Sequence, residues 1–268
     1  MVSGTGWFLV LFNPGSIMQA YGESFARAYN LKWSTYANQV APSILNFYES
    51  TSNAPTNKSV LDVCCGAGHL AVHFLSKGYR VVGIDLSEPM LKYARTSASQ
   101  YLESGQAYFV QADAGDFALD ERFGLAVSTY DSLNHLEDEQ ALINCFRCVH
   151  AVADGYFIFD LNTRRGLSRW NNIYVDESSE DALIITRGNF DVNNRRAWVR
   201  FTGFTRTPNG LFQKFEESVY NTAFDMEWVR KALLEVGWKN VYFARIQDLS
   251  KPLAEPEEEG RVFIVANK

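Results

Sequence analysis

The chain has 268 residues, 47% of them hydrophobic and 14% aromatic, with a formal net charge of −6 at pH 7. This is enough apolar material for the core of one large domain, or of one domain with an insert. The acidic balance argues against nucleic acid as a partner, because a basic face supplies most of the affinity for phosphates.

The N-terminal part divides into two predicted segments. Residues 1–17 differ in pattern from the rest of the chain, lack the positive region that opens a signal peptide, and are expected to form a flexible extension. Residues 18–57 carry aromatic side chains at helical spacing and are expected to form a helical cover. These aromatic residues are Tyr21, Phe25, Tyr29, Trp33, Tyr36, Phe47 and Tyr48.

From residue 58 onward the pattern alternates between strands and helices. Apolar strands are predicted at 59–64, 80–85, 106–111, 123–129 and 153–160, with amphipathic helices at 67–77, 88–104 and 137–150. This alternation predicts a parallel sheet covered on both faces. A helix at 225–236, which stops at Gly237, and strands at 239–246 and 261–266 complete the pattern.

Residues 171–222 have a different texture. Strand-like runs at 182–187, 197–202 and 212–216 are separated by turn residues, which predicts a small antiparallel insert. Val199 and Phe201 are expected to face inward. The insert is expected to form a cap over the site, and it could also join two copies of the chain as a homodimer.

The turn after the first predicted strand carries the strongest functional signal. The strand contains Asp62 and breaks into a turn with Gly66 and Gly68, and the next strand ends in Asp85. A strand, a glycine turn, a helix and a second strand ending in an acid are typical of sites that hold an adenosine-containing cofactor. A nicotinamide enzyme is disfavoured, because Asp62 would face a pyrophosphate and no Tyr-x-x-x-Lys pair occurs.

Three motifs taken together resemble those of the class I S-adenosylmethionine-dependent methyltransferases: 60–68, 82–91 and 111–114. The resemblance covers residues 58–165 closely and 225–267 loosely. It implies a Rossmann-like α/β fold with a seven-stranded sheet whose last strand is antiparallel, built from residues 58–170 and 223–268. It also implies S-adenosylmethionine as the cofactor and S-adenosylhomocysteine as the product.

The resemblance also implies a set of cofactor-binding residues. Asp62 and the glycine turn would hold the aminocarboxypropyl end, and Asp85 would accept hydrogen bonds from the ribose hydroxyls. Asp113 would accept the adenine amino group. Acids at strand ends also serve as plain helix caps, which is the alternative interpretation of each. The implied set is Tyr29, Asp62, Cys64, Gly66, Gly68, Asp85, Leu86, Met90, Asp113, Ala114 and Thr129, with Cys64 standing where the family usually has glycine.

The segment after the fourth predicted strand resembles the corresponding loop of small-molecule N- and O-methyltransferases. In some of those enzymes a histidine at the position of His135 is the proposed base. An imidazole suits this role because it exchanges a proton near neutral pH; a helix-capping histidine is the alternative. Asp131 would pair with a cationic amine substrate or with the cofactor, unless it only structures the loop.

Cysteine usage points to packing and not to metal. Cys145 and Cys148 have the spacing of a zinc or redox pair, but no second pair accompanies them. Both fall on the apolar stripe of a predicted helix, so we expect buried packing and no metal ion. With four cysteines, two of them adjacent, a disulfide framework is not expected, and the protein is expected to be cytoplasmic.

The sequence therefore favours a methyltransferase that acts on a small polar molecule, with no nucleic-acid or membrane partner. Two alternatives stay open at this point. One is a cofactor-binding protein without catalysis, and the other is a methyltransferase of a protein substrate. Turnover and not fold separates them, because function resides in the site.

Overall fold

The computed structural model describes residues 21–33, 35–54 and 56–268. The extension predicted at 1–17 lies outside the described residues. The strands in chain order are β1 Ser59–Val63, β2 Arg80–Asp85, β3 Ala107–Gln111, β4 Phe123–Ser128, β5 Ala153–Asn162, β6 Ile173–Ser179, β7 Ala182–Asp191, β8 Arg196–Arg206, β9 Phe212–Thr222, β10 Lys239–Ala244 and β11 Arg261–Asn267. The helices are α1 Glu23–Lys32, α2 Thr35–Glu49, α3 His69–Ser76, α4 Glu88–Ser97, α5 Ser99–Glu103, α6 Glu139–Val152, α7 Arg164–Ser168 and α8 Met226–Val236.

The larger sheet has seven strands in the order β10-β11-β5-β4-β1-β2-β3. Strands β1 to β5 pair in parallel, and β11 runs antiparallel to both β5 and β10. Strand β4 is buried at every residue, as a central parallel strand covered by helices on both faces should be. The predicted α/β fold with an antiparallel last strand is confirmed.

Two apolar layers cover this sheet. Helices α6 and α8 pack on one face, and α2, α3 and α4 pack on the other. Several helices begin where the sequence offers a capping side chain, for example Ser87 before α4, Asp138 before α6 and Asp225 before α8. Helix α8 ends at Gly237, which takes a left-handed φ of 115° as the sequence predicts for a stop.

Within the described part of the chain, no helix has the length and apolar character required to cross a bilayer.

Strands β6 to β9 form a second, antiparallel sheet of four strands. Val199 and Phe201 of β8 face the cavity between this sheet and the larger one, as predicted. Helix α1 lies between this second sheet and helix α4 of the larger domain. Its Phe25 packs against Ile184 and Phe215 of the second sheet, and the helix also contacts α4. The insert therefore stands over the carboxyl ends of the parallel strands.

Three local predictions were wrong. The single helix expected at 88–104 is two helices, because Ala98 leaves the helical conformation at φ −103° and ψ 17° within a stretch of weak helix formers. Strand β6 was missed because its second half, Asp176 to Ser179, is polar and it lies at a sheet edge. Helix α7 was also missed; the hydroxyl of Thr163 caps it by accepting the N–H of Gly166.

Candidate active site

The turn after β1 is shaped by three left-handed residues. Cys64, Gly66 and Gly68 have φ values of 58°, 54° and 76°. A Cβ on Gly68 would lie 2.9 Å from the Cβ of Ala94, so the turn can press against α4 only because this residue is glycine. Cys64 adopts the same conformation with a side chain, at a cost of about 1–2 kcal/mol. The backbone thus bends sharply into the start of α3.

Asp85 closes this turn from the neighbouring strand. Its Oδ2 accepts the N–H of Gly66 at 2.8 Å, and its Oδ1 accepts the N–H of Ser87 at 2.8 Å. Burial raises the pKa of Asp85, although backbone hydrogen bonds from Ser87, Gly66 and Leu86 oppose the rise. The carboxylate is therefore fixed in place and is poorly solvated.

Asp62 is the second acid of the turn, and its Oδ2 has no hydrogen-bond partner in the described part of the chain. The residue is 2% exposed. Burial, and then the nearby charge of Asp85, raise the pKa of Asp62 to about 8. A buried carboxylate oxygen without a partner is unusual in a folded protein and points to a missing donor or cation.

Two adjoining cavities open at the carboxyl ends of the strands. The smaller one, about 40 Å³, adjoins Asp62 and Thr129. The larger one has a volume of about 770 Å³ and reaches from the turn to the inner face of the insert. At its turn end it is lined by Cys64, Gly66, Asp85, Leu86 and Met90, and along its side by Tyr21, Phe25, Tyr29 and Trp33 of the α1 region.

His135 lies in the wall of the larger cavity, in a single 3-10 turn after β4. Its Nδ1 is 2.9 Å from the carbonyl oxygen of Tyr220, which can only accept, so Nδ1 carries the proton. In the neutral ring Nε2 is then an acceptor, and the hydroxyl of Tyr21 donates to it at 3.2 Å. The tautomer leaves the basic nitrogen on the side of Tyr21 and the cavity.

Asp131 is already paired inside the protein. Its Oδ1 lies 2.5 Å from Nη2 of Arg261, and the residue is 7% exposed. Burial raises the pKa of Asp131, while Arg261 and His135 act to lower it. The predicted partner, a cationic substrate or the cofactor, would therefore have to compete with an existing guanidinium.

The other predicted site residues divide into two groups. Thr129 lines the smaller cavity, and Tyr29 lines both. Gly68, Asp113 and Ala114 line neither cavity. Oδ1 of Asp113 accepts the N–H of Gly115 at 2.8 Å, so this carboxylate serves its own turn.

Sequence reasoning missed several residues that the fold brings to the site. Tyr220 orients His135 through its backbone carbonyl, for which no side-chain signal exists. Arg261 opens the last strand, and nothing in its neighbourhood marks it as part of a site. Asn221 also lines the larger cavity.

Cys145 and Cys148 pack as expected on α6. Cys145 is fully buried, in the same apolar cluster as Leu142 and Val149, and Cys148 packs against that cluster. Burial raises the pKa of the Cys145 thiol, which makes it an inert side chain. Among residues 21–33, 35–54 and 56–268, no three metal-binding side chains are grouped closely enough to hold an ion.

Comparison with known proteins gives a consistent picture. Residues 60–152 match the family model described as a methyltransferase domain. The putative methyltransferase YqeM of Bacillus subtilis strain 168 is 27% identical over 195 residues, which are 66% of this chain and 78% of that protein.

Solved structures share the fold at low sequence identity. An S-adenosylmethionine-dependent methyltransferase from Clostridium acetobutylicum has a TM-score of 0.74 at 19% identity, over 91% of this chain and 97% of that chain. The sugar N-methyltransferase KedS8 from Streptoalloteichus has a TM-score of 0.68 at 19% identity, over 100% of this chain and 98% of that chain.

The sheet order, the antiparallel last strand and the acid-and-glycine turn define the class I methyltransferase fold. Together with the matched domain and its relatives, they show a methyltransferase domain in the fold of the class I S-adenosylmethionine-dependent methyltransferases. S-adenosylmethionine is the cofactor of the similar enzyme from Clostridium acetobutylicum.

Proposed function

We propose that this enzyme methylates a nitrogen or oxygen atom of a small polar molecule held beneath the insert. The observation that carries the proposal is the placement of His135, whose tautomer is fixed, in the same cavity as Asp85 and Gly66. One cavity thus offers a cofactor end and a proton acceptor. A volume of about 770 Å³ is within the range of ligand pockets for small molecules.

The residues at the turn fit the cofactor. Asp62 has an unpartnered carboxylate oxygen that suits an ammonium group, and Thr129 lines the same small cavity. Asp85 suits the two ribose hydroxyls, because its carboxylate lies in the cavity wall beside the close backbone of Gly66. Leu86 and Met90 would then contact the adenine, with Tyr29 along the side.

Three of the remaining members of the predicted cofactor set, Gly68, Asp113 and Ala114, line neither cavity. Gly68 would contribute through the tight turn and the start of α3. For Asp113 and Ala114, contact with the adenine amino group stays a prediction, since neither lines a cavity and Asp113 already accepts a backbone N–H. Cys64 would face the cofactor, because it lines both cavities.

The far end of the larger cavity favours a polar acceptor. Asn162 and Asn221 are among the residues that line it, and both side chains are polar. Such groups favour a polar occupant over an apolar one. Trp170 and Tyr220 add aromatic surface. KedS8, which has the same fold, is described as a sugar N-methyltransferase, and an amino or hydroxyl group on a compact polar molecule would suit these walls.

Catalysis by this chain would consist of alignment and proton removal. S-adenosylmethionine supplies an electrophilic methyl group. His135 would accept through Nε2 the proton that the nucleophile loses, while the Tyr220 carbonyl holds Nδ1–H and keeps the ring oriented. Tyr21 would have to yield its hydrogen bond to Nε2 when the acceptor binds.

The ionisation of Asp62 makes a testable prediction. Its pKa of about 8 means that the free protein holds a proton there at neutral pH, whereas an ammonium partner requires the carboxylate. Affinity for S-adenosylhomocysteine should therefore be greatest above pH 8 and should weaken by up to about tenfold per pH unit as the pH falls from 8 to 6. Calorimetry across this range measures the effect.

The control for this prediction is Asp62→Asn, which keeps the shape and cannot ionise. It should bind weakly, with a flatter dependence on pH. A wild-type affinity that is constant between pH 6 and pH 8, or a variant with the wild-type slope, would show that Asp62 does not face the ammonium.

Transfer of labelled methyl groups to a panel of small amines and hydroxyl compounds tests the proposed function. Saturable transfer to a small molecule supports it. Transfer only to protein would favour a protein substrate, and cofactor binding without transfer to any class would favour a binding protein.

Self-association through the insert and a cytoplasmic location also stay predictions. The outer face of the insert is the surface to examine for self-association, because it carries exposed apolar residues such as Ile173 and Tyr174, which are 67% and 62% exposed.

A further inference from the structure

Arg261 joins two buried carboxylates behind the wall of the larger cavity. It is the first residue of β11, and its Nη1 lies 3.2 Å from both carboxylate oxygens of Asp160 at the end of β5. Its Nη2 lies 2.5 Å from Asp131 in the loop after β4. Asp160 is fully buried and Asp131 nearly so. One guanidinium thus serves two acids, with the planar fork that only arginine provides.

Asp160 in turn holds an unusual piece of backbone. Tyr130 and Asp131 are consecutive left-handed residues, with φ values of 69° and 51°. Both of their N–H groups donate to Asp160, at 3.0 Å to Oδ2 and 2.5 Å to Oδ1. Neither residue is glycine, so the conformation costs about 1–2 kcal/mol per residue and persists only because its surroundings enforce it. Successive N–H groups that converge on a carboxylate supply that enforcement.

The held segment forms the wall that the two cavities share. Tyr130 and Ser132 line both of them, and Asp131 and His135 continue along the larger one. The ring of Tyr130 stacks on Tyr36 of α2 with centroids 4.3 Å apart. The Arg261 guanidinium lies 5.1 Å from the Tyr36 ring and 5.4 Å from the Tyr130 ring.

A fourth element joins the cluster through Tyr36. Its hydroxyl donates to Oδ2 of Asp160 at 2.7 Å and lies 3.2 Å from Nη1 of Arg261. Helix α2, strand β5, strand β11 and the loop after β4 therefore meet at one charged contact. This contact lies between the predicted cofactor end of the cavity and the predicted base, His135, whose relative positions must be fixed for methyl transfer.

We propose that Arg261, with Asp160, is a positioning residue for methyl transfer: the pair fixes the left-handed Tyr130–Asp131 segment and thereby sets the place of His135 relative to the cofactor end of the cavity. The inference rests on the proposed function, because it gives a role to the wall between the base and the cofactor. Of the two roles that the sequence left open for Asp131, it favours the structuring of the loop. Asp131 serves as the loop's anchor to Arg261 and not as the partner of a cationic substrate.

Arg261→Lys is the decisive variant, because lysine keeps the charge and loses the fork that reaches both acids. We expect kcat to fall by about 10–100-fold, since misplacement of about 1 Å costs this much. Affinity for S-adenosylhomocysteine should change by less than about threefold, because Asp85 and the glycine turn are untouched. Hydrogen exchange in a peptide covering residues 128–135 should quicken by about tenfold or more, with exchange in 80–87 unchanged.

Tyr36→Phe is a milder second variant that removes one hydroxyl from the same cluster. It should shift exchange and kcat in the same direction by a smaller factor. Arg230→Lys is the matched control, because Arg230 forms an exposed pair with Glu227 on α8 and should leave every readout unchanged.

Faster exchange confined to 128–135, together with a loss in kcat at near-normal cofactor affinity, supports the proposal. Wild-type exchange in Arg261→Lys, or a loss of cofactor affinity as large as the loss in kcat, overturns it. Hydrogen exchange needs no acceptor, so it decides whether Arg261 holds the loop even if the wild-type enzyme transfers methyl groups to no compound of the panel. The absence of methyl transfer by the wild-type enzyme would count against the proposed function alone.

Discussion

His135→Asn should lower kcat by about 10²–10⁴-fold, the usual contribution of a positioned general base. Asparagine can place its amide nitrogen near the position of Nδ1, so the hydrogen bond to the Tyr220 carbonyl is retained and only the basic nitrogen is lost. The cofactor end of the cavity does not depend on this side chain. Affinity for S-adenosylhomocysteine should therefore stay within about twofold of the wild-type value.

Initial rates of methyl transfer and calorimetry on the same preparations separate these two quantities. His150→Asn is the matched control, because His150 lies at the end of α6 against Trp238, outside both cavities. A turnover number in His135→Asn equal to that of the wild type would remove His135 as the base.

Asp85→Ala should weaken binding of S-adenosylhomocysteine by at least about 100-fold. The ribose would lose two hydrogen bonds to a charged acceptor, each contributing about 1.5–3 kcal/mol. The protein should stay folded. The substitution removes the hydrogen bonds that Asp85 accepts from Gly66 and Ser87, but it also removes the cost of burying the charge, which is visible in the raised pKa of this carboxyl.

Calorimetry measures the loss of binding, and thermal unfolding monitored by circular dichroism checks the fold. Asp154→Ala is the matched control, since Asp154 pairs with Arg122 at the opposite, amino end of β5. This variant should bind the cofactor with wild-type affinity. If folded Asp85→Ala retained the wild-type dissociation constant, the assignment of the ribose site would be lost.

The acid-and-glycine turn after β1 could be predicted because its determinants are local in sequence. Strands β1 to β5 are mostly apolar, so their predicted bounds differ from the observed ones by at most two residues. Asp62, Gly66 and Asp85 come together because β1 and β2 are parallel neighbours. The two glycines of the turn and the acid near the end of each strand can be recognised in a single sequence.

The surroundings of His135 and Asp131 could be predicted only in part, because their determinants are distant in sequence. The residue that orients His135 lies 85 positions away and acts through its backbone carbonyl, which carries no sequence signal. The partner of Asp131 lies 130 positions away on the last strand. The sequence around an acidic loop residue does not show whether its partner is a substrate or an internal arginine, and only the fold distinguishes the two.

The insert shows the same division. Alternating residues predicted β8 and the inward direction of Val199 correctly, because one face of that strand is buried. Strand β6 has little such contrast, since Ile173, Tyr174 and Val175 are all exposed. Edge strands of this kind are set by the neighbour with which they pair, here β7, more than by their own pattern.

Every role assigned to the site requires that the bend after β1 and the acid that ends β2 hold S-adenosylmethionine. Titration calorimetry of the folded wild-type protein with S-adenosylhomocysteine tests this binding, with NAD as the comparison ligand. We expect saturable heat at one site per chain for S-adenosylhomocysteine and none for NAD. Saturable binding of NAD alone, or no heat with either ligand, would contradict the assignment.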